Sequence, residues 1–170
     1  MRNKCNTCNH ARRAVATFVV SFAALLLFSQ SGFAANWNGI EPLKSRRADV
    51  ERILGQPIKA QPGQNGTLQF NVAGGKVTVA FVNAKFVEAK RLQPELEGTV
   101  LQVVLQHENS SDTPESMGLI EKSDFKREEG PDRVTKFSNL DNGLVYTFIG
   151  GRLKTTYFTP SKDQWSKSQK

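Results

Sequence analysis

Few of the 170 residues are of types that do chemistry, and their spacing limits what that chemistry can be. Cys5 and Cys8 form a C-x-x-C pair with His10 close behind. Such spacing suggests zinc, but a structural zinc site takes four ligands and only three are offered here. His107 is the other histidine. A Ser-His-acid triad would have to recruit it with Ser110, Ser111 or a distant serine, and no G-x-S-x-G elbow is present. At the polar end of an apolar run, it reads as an ordinary strand-end residue. Glu108, Asp112 and Glu115 bracket a loop with calcium-type ligands, yet the spacing and glycine of an EF-hand are missing, so a solvated loop is expected. AGGK, 73–76, has the glycines and lysine of a phosphate loop, but Val77 follows the lysine where Ser or Thr is required. Glu128-Glu129 beside Lys126-Arg127 reads as a mixed-charge surface. Paired carboxylates for glycoside cleavage depend on spatial pairing, which spacing does not reveal. No catalytic, cofactor-binding or metal-ligating residue is therefore assigned.

The elements that would position these groups begin after a leader. The chain opens with MRNKCNTCNHARR, which carries Arg2, Lys4, Arg12 and Arg13 and no acid. An uncharged run, Ala14 to Phe28, follows, and then SQSGFA places Gly32 and Ala34 at the −3 and −1 positions of a cleavage site. A basic head, a short apolar middle and a small-x-small exit are the features of a secretory signal peptide. The run is short for a bilayer span of about 20 residues. A leader at 1–34 removes both cysteines and His10. It also takes four of the 23 basic residues and none of the 16 acidic ones, so the net charge falls from +7 to 19 − 16 = +3. The basicity that would suggest a nucleic-acid partner belongs largely to the leader. What remains, 170 − 34 = 136 residues, suits one domain at 35–160 with a polar tail at 161–170. Asn65 and Asn109 head glycosylation sequons, which matter only in a host that glycosylates exported chains.

Along that domain, ADVERILGQP reads as a helix. Ser45 is the expected N-cap, Val50, Ile53 and Leu54 form an apolar stripe, and Gly55 and Pro57 stop it. KAQPGQNG is a loop. TLQFNV and KVTVAFV alternate around AGG, as in a hairpin with one buried face. AKFVEAKRLQ, 84–93, fits either a short helix or a continued strand. TVLQVVLQ, 99–106, is nearly continuously apolar, as in a central strand covered on both faces. HENSSDTPES is a polar loop, and SMGLIEKSDFKREEGPD is ambiguous. RVTKFSN, LVYTFI and RLKTTYF are three more strands, joined at LDNG and GG. The expected class is α+β, with a short N-terminal helix followed by antiparallel hairpins in one sheet. GGKVTVAFV (74–82) and GGRLKTTYF (150–158) match at an offset of 76. A helix-plus-hairpin unit used twice accounts for this, as does chance similarity between two amphipathic hairpins.

WNGIEPLKSRRADVERILGQP, 37–57, resembles the opening helix of the SmpA/OmlA-like family, which includes the small lipoprotein of the β-barrel assembly machinery. It is more similar still to a group of uncharacterised secreted bacterial proteins that open W-G-I-x-P-L-x-S-x-R-x-D-V-E-R-x-L-G-x-P. The matching positions run from Trp37, Gly39 and Ile40 through Asp49, Val50 and Glu51 to Leu54, Gly55 and Pro57. Beyond these twenty or so residues the agreement is only in kind. The resemblance implies a non-catalytic α+β domain outside the cytoplasm. A lipid anchor needs a cysteine, which the chain after Ala34 lacks.

The function expected from the sequence is thus an exported, non-catalytic binding or scaffold domain, secreted or periplasmic. It would engage an envelope protein or polymer, not nucleic acid, would need no cofactor, and would keep no stable membrane span once the leader is cut. The alternative is a small secreted hydrolase using carboxylates or His107.

Overall fold

The computed structural model describes residues 35–60 and 66–170. The leader with Cys5, Cys8 and His10, the loop positions 61–65 and the Asn65 sequon lie outside the described residues. In chain order come α1 (Arg47–Leu54), β1 (Lys59–Ala60), β2 (Leu68–Val72), β3 (Gly75–Phe81), α2 (Ala84–Lys90), a 3-10 turn (Pro94–Leu96), β4 (Val100–His107), β5 (Lys126–Glu129), β6 (Val134–Asn139), β7 (Leu144–Ile149), β8 (Arg152–Phe158) and α3 (Lys162–Ser168). The strands make one open antiparallel sheet in the order β1-β2-β3-β4-β8-β7-β6-β5. The fold is mixed α+β.

Alternation in the strands sets which face is buried. Leu68 pairs with Val79 and Phe70 with Val77 across the β2–β3 hairpin, and Val79 and Val77 face Val103 and Leu105 on β4. Onto this face α1 lays Val50, with Ile53 and Leu54 beside it, forming one core cluster. Each such buried aliphatic or aromatic side chain contributes about 1.5–3 kcal/mol. A second cluster, on the β6–β8 half, joins Phe137, Phe148 and Leu153 to Leu119 from the preceding loop. Phe137 and Phe148 meet edge to face at 5.8 Å, a geometry worth about 1 kcal/mol beyond its area.

Local chemistry overturns two expectations, at Ser45 and in the C-terminal tail, and decides two stretches that the sequence left open. Ser45 does not cap α1. It is buried and its Oγ accepts from the Glu41 amide (2.9 Å), while Arg46 occupies the cap position and Asp49 Oδ2 accepts from the Arg46 amide (3.0 Å). The ambiguous stretch from 84 is helical because Asn83 Oδ1 accepts from the Phe86 amide (2.8 Å). KREE, within the ambiguous stretch before Gly130, is a strand with every residue exposed, held by pairing to β6. The expected polar tail is a helix, α3. Ser161 Oγ accepts from the Gln164 amide (3.1 Å) and Gln164 Oε1 accepts from the Ser161 amide (2.9 Å), a reciprocal cap. Trp165 then packs near Phe86 of α2, with ring centroids 6.0 Å apart, in a third cluster with Leu43, Val82 and Leu92.

β4 sits at the sheet's centre, but its two faces are not equally covered. Val100 and Val103 are fully buried, whereas Gln102 and Val104 on the other side are only half-buried. A register shift between Ala80 and Phe81 leaves Leu101 as the extra residue, and it turns toward the third cluster.

Candidate functional site

The residues singled out by chemical type are dispersed by the fold. His107 ends β4 on the same face as Leu105, and its Nε2 lies 2.9 Å from Oγ1 of buried Thr156. Beside it is a pocket of about 200 Å³ walled by Trp37, Asn38, Gly74 and Lys76. Burial pushes the imidazole pKa below the usual value of 6.5, and Asp112 only partly opposes this. The shift favours the neutral ring. Its hydrogen-bond partner among the described residues is the Thr156 hydroxyl and not a carboxylate, so it lacks the orienting acid of a triad.

The carboxylates of the loop after β4 do not converge. Glu108 reaches Lys76 at 3.7 Å, and Asp112 accepts from Ser110 Oγ at 2.9 Å. Glu115 is held below the usual carboxylate range by a backbone amide hydrogen bond and then by Thr113. Among the described residues no group of three His, Cys, Asp or Glu side chains is placed to hold a metal ion. AGGK is the β2–β3 hairpin turn, with Val72 paired to Gly75. A Cβ at Gly75 would collide with the Gln106 carbonyl, so glycine there serves the approach of β4. Glu128 and Glu129 lie on the outer edge strand β5, paired with Lys126 and Arg127. That charged edge resists pairing with another strand.

The opposite face of the sheet offers a more continuous surface. The row Gln69, Thr78, Val104, Tyr157, Val145 and Ser138 runs across β2, β3, β4, β8, β7 and β6 through successive Cα pairings. α1 packs on the other face, while α2 and α3 pack with Val82 and Leu101 at the end of β3 and β4. On the face away from α1 lies a groove of about 370 Å³ lined by Gln102, Lys136, Val145, Thr147, Tyr157 and Thr159. A smaller recess of about 210 Å³ lies on the same face between Lys59, Thr67, Gln69 and Thr78. The groups on offer are amides, hydroxyls, ammonium heads, one phenol ring and the Val145 side chain. No single motif announced these positions, although the polar alternates in TVLQVVLQ and RLKTTYF are the signal of a second, wetter face.

No protein-family model matches the chain, and no curated protein does. Among solved structures, the fold is similar to the crystal structure of a DUF4309 family protein, YjgB, from Bacillus subtilis. The TM-score is 0.50 and the sequence identity 12%, over 72% of this chain and 83% of that one. The likeness is one of fold.

Proposed function

We propose that the chain is an exported, non-catalytic binding or scaffold domain of the cell envelope or extracellular space. The observation that carries this reading is the groove around Tyr157, lying on a sheet face that α1 leaves bare. Antiparallel sheets with one solvated face commonly bind in this way. The reading draws further support from the signal-like first 34 residues, and from the resemblance of residues 37–57 to secreted proteins and, more distantly, to the SmpA/OmlA-like family. It keeps a duplicated unit, read as hairpin then helix: β2–β3 and β7–β8 each precede a seven-residue helix, α2 and α3, whereas the expected helix-then-hairpin order is met at α1 alone, since β6 precedes β7–β8. The test is capture from envelope extracts on immobilised chain, comparing wild type with Thr147→Glu, which narrows the groove. A retained partner released by Thr147→Glu supports the reading; a clean monomer that retains nothing at native salt overturns it.

A second reading, a small secreted hydrolase using carboxylates or His107, draws on the pocket beside the neutral imidazole. A broad hydrolase screen on wild type and His107→Ala decides it, and an inactive wild type removes it.

A further inference from the structure

The open face carries a charge surplus. Followed outward, the row through Tyr157 begins at Lys59, paired with Gln69, and ends at Lys126, paired with Ser138. The neighbouring row carries Lys76, paired with Gln106, and Lys136, paired with Thr147. Two carboxylates answer these four ammonium groups. Glu128 lies 2.8 Å from Lys126 and 3.7 Å from Lys136, and Glu108 lies 3.7 Å from Lys76. Lys59 has no carboxylate partner among the described residues. Four minus two leaves +2 on one face, most of the +3 that the chain retains beyond residue 34.

Between the lysines lie amide and hydroxyl groups, with Val104, Tyr157 and the nearly buried Val145 among them. Among the described residues, the hydrogen bonds made by side chains of this strand face are few: Ser138 to the Lys126 carbonyl at 3.5 Å and, just beyond β8, Thr159 to the Gly143 carbonyl at 3.2 Å. Gln69, Thr78, Gln102 and Thr147 are thus left to bond outward. At about 4.8 Å per strand, the row from β1 to β5 spans roughly 34 Å.

We propose that this face docks a linear acidic polysaccharide of the uronic-acid type, laid across the strands. This deepens the binding-domain reading and rests on it. The lysine surplus selects a negative polymer and disfavours face-to-face packing of a second copy. The spread of groups that both donate and accept matches sugar hydroxyls, and the Tyr157 ring supplies one apolar platform for a pyranose face. An acidic peptide gains most from strand addition, but backbone groups inside the sheet are already paired, the edge at β5 is guarded by its charges, and the edge at β1 is only two residues long. Single-stranded nucleic acid is held by successive aromatic platforms, and Tyr157 is the one aromatic in these two rows.

The experiment is calorimetric titration of the exported chain with polygalacturonate, against neutral dextran, poly-glutamate and single-stranded DNA. We expect polygalacturonate to bind in preference to all three, weakening roughly tenfold or more from about 50 to about 500 mM NaCl. Lys59→Gln with Lys136→Gln should weaken it by a further factor of about ten, with the thermal melt of the double variant unchanged. Equal binding of poly-glutamate or DNA overturns the glycan assignment and leaves the binding reading standing. Polygalacturonate binding that ignores the two lysine substitutions overturns the location. No binding to any probe, while Thr147→Glu still releases a partner from envelope extracts, overturns this inference and spares the reading beneath it.

Discussion

His107 lies between a structural and a chemical role, and its titration separates them. Burial holds its folded pKa below the unfolded value near 6.5. Between those two values the unfolded chain binds more protons than the native one, so stability rises with pH there. The contribution is complete above about pH 6.5 and is lost as the pH falls through the folded pKa. Proton NMR of the imidazole should therefore show a midpoint below that of the free residue. His107→Gln should flatten the acid side of the stability profile; a wild-type midpoint at or above 6.5 would contradict the burial argument. Gly143 makes a second residue-scale case. Its φ is +74° and a Cβ there would collide with the Thr159 carbonyl, whereas Gly150, at φ +58°, has nothing within 4 Å. Gly143→Ala adds overpacking to backbone strain and should cost about 3 kcal/mol, against about 1 kcal/mol for Gly150→Ala. Urea melts of the two variants give the comparison.

At the scale of elements, α3 shows how tertiary contact makes a helix that composition conceals. KDQWSKS has a single apolar residue, Trp165, so no periodic stripe marks it. It is held by the reciprocal cap at Ser161, the Phe86 ring, and Gln164 Nε2 donating to the Pro42 carbonyl at 2.9 Å. Trp165→Ala should accordingly cost about 3 kcal/mol and lower the melting temperature by roughly 10 °C. If α3 were a dispensable tail, the melt would not move. The hairpins were legible because alternation and glycine turns encode them locally, as at Leu68-Gln69-Phe70 and Gly150-Gly151. β5 was not, because Lys126–Glu129 alternates nothing apolar and is a strand only by virtue of β6. The open face was illegible for a related reason. Its rows combine residues from strands far apart in sequence, such as Gln102 and Lys136, and only the register brings them together.

At the scale of the whole molecule, two core clusters share one sheet whose halves meet at the β4–β8 pair, Val103 with Phe158 and Leu105 with Thr156. Nothing in that joint calls for a covalent staple, and both cysteines stand in the first eight residues. The Ala35 amide donates to the Asn142 carbonyl at 2.9 Å, so the described chain sets out from the β6–β7 turn. Proposed export with cleavage after Ala34 therefore makes a joint prediction. The exported protein should begin at Ala35 by N-terminal sequencing, contain no titratable thiol, and melt at the same temperature with and without reductant. It should also show lower affinity for cation-exchange resin than the full-length chain, because four basic residues and no acidic one leave with the leader. A thiol that titrates in the exported protein would mean that the leader is kept as an anchor. The inventory of groups available to chemistry would then regain Cys5, Cys8 and His10.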